Sequence, residues 1–117
     1  MPKNKKMAVL RTSKEILSLR KEGKRFFDQF VVLIAQPKAL SSSRFAVIAS
    51  KSVGGAVERN RCKRRIRSRV AKFSSRWTDE YDFILICRKD LLDADPATLD
   101  DSVEKLFCRA GIIRKDE

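Results

Sequence analysis

The chain has 117 residues, enough for one domain around a single modest core. Its 27 Lys and Arg against 15 Asp and Glu leave a net charge of +12 with no histidine, a balance that points to a polyanionic partner. The longest apolar run, Phe30 and residues 31–35, is far too short to cross a bilayer, and the stretch between Lys6 and Arg11 is too short for a signal peptide.

Residues 1–6 read as a basic, disordered tail ahead of one domain that takes up the rest of 1–117. A first short helix is expected over 13–22, with Ser13 as N-cap, Ile16 and Leu19 on one side, and Gly23 closing it in a left-handed conformation. Residues 26–35 read as one strand covered on both faces, and 37–43 as a turn cluster. Residues 44–50 alternate, placing Phe45, Val47 and Ala49 on one face of a second strand. Gly54 and Gly55 break the chain. A long helix over 56–77 then has Ile66, Val70, Phe73 and Trp77 on one stripe bordered by Cys62, which is plain core packing. A third strand, 81–87, and a last helix starting at 93–96 complete the order helix, strand, strand, helix, strand, helix. The expected fold class is α+β, a small central, mostly antiparallel β-sheet packed with helices.

Charge is spread unevenly along this order: residues 1–76 carry +17 and 79–117 carry −5. The densest stretch is "ERNRCKRRIR", 58–67, with six cations in ten positions. With the apolar stripe turned inward, Asn60, Lys63, Arg64 and Arg67 share one outer side of the helix. Arg61, Arg65, Lys72 and Arg76 occupy the adjacent side, and Arg59 sits at the N-terminal end. Like charges at helical spacing repel, so a face of this kind suits an incoming phosphate backbone, which arginine forks grip bidentately. Asn60 adds a donor and an acceptor able to meet a 2′-hydroxyl, a base edge or a backbone turn. Lys51 and the glycine pair lead into a helix N-terminus whose free N–H groups also favour phosphate. Phe26, Phe27 and Phe30 are either core or a platform on which unstacked bases lie.

The stretch "RFAVIASKSVGGAVERNRCKRRIR", 44–67, closely resembles the signature of the protein subunit of bacterial ribonuclease P. The matching elements are Ser50-Lys51-Ser52, Gly54-Gly55-Ala56-Val57, Arg59-Asn60-Arg61-Cys62-Lys63-Arg64 and Arg67, in register without a gap; Leu10 to Gly23 and "YDFILICRK" match more loosely. The resemblance implies the ribosomal S5 domain 2-like α/β sandwich with a left-handed strand–helix–strand crossover. It also implies a role beside a catalytic RNA that removes the 5′ leader of precursor tRNA, one protein per RNA. On that pattern Lys51, Arg59, Asn60, Arg61, Lys63, Arg64 and Arg67 contact the RNA subunit. A cleft between the first helix and the sheet takes the single-stranded leader, here with Phe26, Phe27 and Ile34. The RNA carries the chemistry and most of the Mg²⁺, and protein binding strengthens substrate and metal affinity. Ser52 stands where the family usually has a second lysine and Ala46 where it has a glycine, while Ile16 and Arg20 replace two aromatics on the cleft side of the first helix.

A protein-borne nuclease site is not expected. Histidine is absent, and the acids at 93, 95, 100, 101 and 104 are expected to lie away from the cationic surface. Cys62, Cys87 and Cys108 share no metal-ligand spacing and read as free thiols of a cytoplasmic protein. No catalytic side chain, no protein-held metal and no membrane partner are therefore expected. The alternatives are a structural RNA-binding protein, such as a ribosomal component, and a free-standing endoribonuclease.

Overall fold

The computed structural model describes residues 8–9, 13–37, 43–77 and 81–113; the basic tail at 1–6 and most of the turn cluster at 37–43 lie outside them. In chain order the elements are β1 (Ala8–Val9), α1 (Ser13–Glu22), β2 (Lys24–Phe27), β3 (Val31–Pro37), β4 (Arg44–Ile48), α2 (Ala56–Phe73), β5 (Tyr81–Cys87) and α3 (Pro96–Ala110), with short 3-10 turns at Ser74–Arg76 and Lys89–Asp93. They form one α+β unit around a five-stranded sheet in the order β1-β4-β5-β3-β2. The sheet is mixed. Its longest ladder, β3 with β5, is antiparallel, as is β2 with β3, while β4 runs parallel to both β1 and β5. Parallel neighbours need a crossover, and α2 provides it between β4 and β5.

Three expectations change here. The helix expected over 56–77 ends at Phe73, where the 3-10 turn Ser74–Arg76 takes over and Trp77 is extended. The strand expected over 26–35 is a hairpin, because Asp28 turns the chain: its Oδ1 accepts from the Phe30 amide at 2.9 Å, and its own amide donates to the Val31 carbonyl at 3.1 Å. Gly23 follows α1 without a left-handed backbone, since among the described glycines only Gly54 and Gly111 have positive φ. What position 23 requires is absence of a side chain: a Cβ there would lie 2.6 Å from Ile34 Cγ2 and 2.7 Å from the Leu19 carbonyl oxygen. The last turn of α1 therefore rests directly on β3.

Strand alternation divides the core in two. Val31, Leu33, Ala35, Phe45, Phe83, Leu85 and Cys87 face α2 and α3, and meet the buried stripe Cys62, Ile66, Val70 and Phe73 of α2. Trp77 closes that layer, with ring centroids 5.3 Å from Phe83 and 5.9 Å from Phe45. Each fully buried aliphatic here contributes about 1.5–3 kcal/mol relative to an exposed one. That is ample to fix which side of α2 turns inward. The opposite face holds a smaller cluster, Ile34, Ala46 and Ile84 beneath Leu19 of α1.

Helix α3 is closed at both ends by its sequence. Asp95 caps it, accepting from the Thr98 amide at 3.1 Å and its hydroxyl at 2.7 Å, and Thr98 holds that carboxyl below its ordinary range. Gly111, at φ 82°, ends it in the left-handed region.

Candidate nucleic-acid interface

Helix α2 starts at Gly55, where the amide donates to Glu58 Oε1 at 3.0 Å. The only acid between Lys51 and Arg76 is thus used at the helix end. Arg59 is half-buried and donates to the Gly54 carbonyl at 3.0 Å, fixing the loop that carries Lys51. Beyond it, Asn60, Arg61, Arg64 and Arg67 are exposed, Lys63 lies half-buried on their flank, and Lys51 is exposed in the preceding turn. None of these six side chains makes a hydrogen bond or ion pair with a described residue.

The neighbouring side of α2 differs. Arg65 donates to the Leu91 carbonyl at 2.8 Å and also to that of Ala94. Asp100 accepts from Arg69 Nε at 2.9 Å and Lys72 Nζ at 2.8 Å, and Glu104 accepts from Arg76 at 2.9 Å. The hydrogen bond from Lys72, opposed by burial and aided by the charge of Arg69, holds the Asp100 carboxyl below its ordinary range. The acids of α3 were expected to lie away from the cations; two of them neutralise part of the basic helix instead, because α3 packs alongside α2 on the same sheet face.

On the other sheet face, register aligns side chains across four strands. Phe27 pairs with Val32, Val32 with Ile86, and Ile86 with Ile48. This row lies one step beyond the residues that α1 covers. Phe27 is 58% exposed and the other three are half-buried, giving an open apolar strip across the sheet, called the channel below. Two expected cleft residues do not line it. Ile34 is fully buried beneath α1, and Phe26 points to the opposite face, since successive strand residues alternate. Phe30 belongs to the core as well. Val32, Ile48 and Ile86 were not singled out from sequence, although their alternation with Ile34, Ala46 and Ile84 carries the signal. Beside α1 an open pocket of about 310 Å³ is lined by Arg44, which pairs with Glu15 at 2.8 Å and Asp82 at 3.0 Å.

Nucleophilic candidates are quiet. Cys62 and Cys87 are buried; burial raises the Cys62 thiol and pushes Cys87 up to about 12. Among the described residues no group of three or more Cys, Asp or Glu is placed to hold a metal ion, and no helix is long and apolar enough to cross a membrane.

Fold and charge layout define a basic α+β domain with a cationic helix face that is unpaired among the described residues. The sequence profile of the Ribonuclease P family matches residues 4–111. A ribonuclease P protein component from Roseiflexus castenholzii is 33% identical over 107 residues, covering 90% of this chain and 87% of that one. One from Syntrophomonas wolfei is 28% identical over 111 residues, covering 95% and 93%. Among solved structures, the RNase P protein of Staphylococcus aureus superimposes with a TM-score of 0.81 at 22% identity over 93% of this chain and all of that one. The RNase P protein of Thermotoga maritima superimposes with a TM-score of 0.77 at 25% identity over 86% and 94%. The chain belongs to the ribonuclease P protein family.

Proposed function

We propose that this chain is the protein subunit of a ribonuclease P holoenzyme, acting with a catalytic RNA to remove the 5′ leader from precursor tRNA in the cytoplasm. The observation that carries the reading is the division of α2. One side of the helix has its cations neutralised by α3 or bound to carbonyls, and the other presents Asn60, Arg61, Lys63, Arg64 and Arg67 with no partner among the described residues. Together with Lys51 and the remaining donors of Arg59, these groups bind the phosphate backbone of the RNA subunit, one protein per RNA. Because the buried stripe fixes the rotation of α2, the guanidinium groups are held toward the RNA before it arrives, which lowers the ordering cost of binding.

The apolar channel on the opposite sheet face takes the single-stranded leader. Phe27 offers a ring for one base, and Val32, Ile86 and Ile48 offer a floor that any base can cover without sequence selection. The two surfaces bring enzyme RNA and substrate together. The phosphodiester hydrolysis and most of the Mg²⁺ belong to the RNA, and the protein strengthens substrate affinity and lowers the Mg²⁺ concentration required by offsetting repulsion between the phosphates of enzyme RNA and substrate. The test is cleavage of precursor tRNA. The protein alone is expected to be inactive at any Mg²⁺ concentration and to support cleavage at low Mg²⁺ once a ribonuclease P RNA is added. Cleavage without RNA would make the chain a nuclease in its own right. Failure to activate the RNA would leave it a structural RNA-binding protein.

A further inference from the structure

A second group of cations lies at the other end of the sheet. Arg20 and Lys21 end α1, Lys24 and Arg25 begin the edge strand β2, and Arg109 projects from the last turn of α3; all five are exposed. None is ion-paired with a described acid, although Glu22 is near in sequence. Elsewhere Arg44, Arg69, Lys72, Arg76 and Lys105 each have a carboxylate beside them.

Three of these side chains, Lys24, Arg25 and Arg109, are positioned rather than loose. Arg25 Nη2 donates to the Arg20 carbonyl at 2.8 Å, and Arg109 Nη1 reaches the Phe27 carbonyl at 3.4 Å. The Lys24 ammonium and the Arg109 guanidinium lie 5.7 and 5.8 Å from the Phe26 ring centroid. Phe26, which cannot reach the channel, thus orders two cations on the α3 side of β2. Arg25 pairs with Ile34 and so points to the channel face, as does Phe27 two residues on, roughly 7 Å along the strand. The cations therefore straddle β2 where the apolar row ends.

We infer that this corner is a phosphate rail: an RNA strand whose base stacks on Phe27 leaves the sheet across β2, its next phosphates held by Arg25 and Arg20 on one side of the strand and by Lys24 and Arg109 on the other. The inference rests on the reading of the channel as the leader site and extends it by several nucleotides. In place of the two aromatics that the resemblance associates with the first helix, this chain holds the distal leader by charge. That grip is indifferent to sequence and sensitive to salt.

The test uses the assembled holoenzyme and two precursor tRNAs, one with a short leader ending at the channel and one extended by several nucleotides. Extension should improve wild-type binding about tenfold, as a charge-assisted contact does. The pair Arg20→Gln and Arg25→Gln, and separately the pair Lys24→Gln and Arg109→Gln, should lose that gain. Binding of the short-leader substrate and of the catalytic RNA should be unchanged, with the melting temperature intact. A gain from extension that survives in both variants overturns the rail. So does its absence in wild type while the short leader still binds better than mature tRNA. Variants that self-associate without changing leader affinity would show that the charges only guard an exposed strand edge. If wild type gains nothing from any leader, the channel reading itself is what fails.

Discussion

The two outer sides of α2 carry similar side chains and do opposite work. On one side, Arg65, Arg69, Lys72 and Arg76 tie the helix to α3 and the turn before it. On the other, the side chains of Asn60, Arg61, Arg64 and Arg67 have no hydrogen bond or ion pair with a described residue. Both sets are rich in cations; what separates Asn60, Arg64 and Arg67 from the struts is which way the buried stripe rotates the helix, whereas Arg61 shares the side of Arg65 and still has no described partner. A cation beside α3 becomes a strut, and one turned roughly a third of the way round keeps its donors open. Counting positive residues says little about RNA binding until the neutralised ones are set aside.

The largest test of that division is the triple replacement of Arg61, Arg64 and Arg67 by alanine. Affinity for the RNA subunit should fall by about a hundredfold or more, and its logarithmic salt dependence should become shallower by about three. Calorimetry should give an unchanged melting temperature, and a lower one would place these residues among the struts. Arg65→Ala should do the reverse. It should cost about 2 kcal/mol of stability in denaturant titration through its lost carbonyl contacts, and leave RNA affinity in the folded protein where it was.

Asp100→Asn should be milder, about 1 kcal/mol, because the pairs with Arg69 and Lys72 are only partly shielded from water. Its pH dependence has a definite sign. The folded-state carboxyl is held below its ordinary value, so its contribution is complete above the unfolded value of about 3.9 and disappears as pH falls through the lower folded one. Stability curves of wild type and variant should therefore lie apart near neutrality and converge in acid.

The long helix was legible in the sequence because Cys62, Ile66, Val70 and Phe73 recur at its period, and that periodicity also turned Asn60 and Arg64 outward correctly. The family signature at 44–67 gave the same helix independently. The partners of the struts were not legible: Asp100 and Glu104 lie some thirty positions further along the chain, and no local pattern says that α3 will lie against α2. The hairpin of β2 and β3 was hidden because Asp28 and Gln29 sit inside a dense run of phenylalanines and valines that reads as one strand. With that turn unseen, Phe26 and Phe27 could not be assigned to opposite faces, and the channel was credited with Phe26 and Ile34 instead of Val32, Ile48 and Ile86. Strand β1, two residues long, pairs only with β4 and carries no periodic signal.

The contact between Gly23 and Ile34 sets a dimension of the molecule. A helix laid on a sheet normally stands off by the side chains of both, yet here the residue that ends α1 contributes none and the Ile34 side chain alone fills the gap. Its height above β3, and with it the wall of the open channel beside it, is metered by a missing methyl group. Even an alanine would act as a shim, forcing that end of the helix and Ile34 apart.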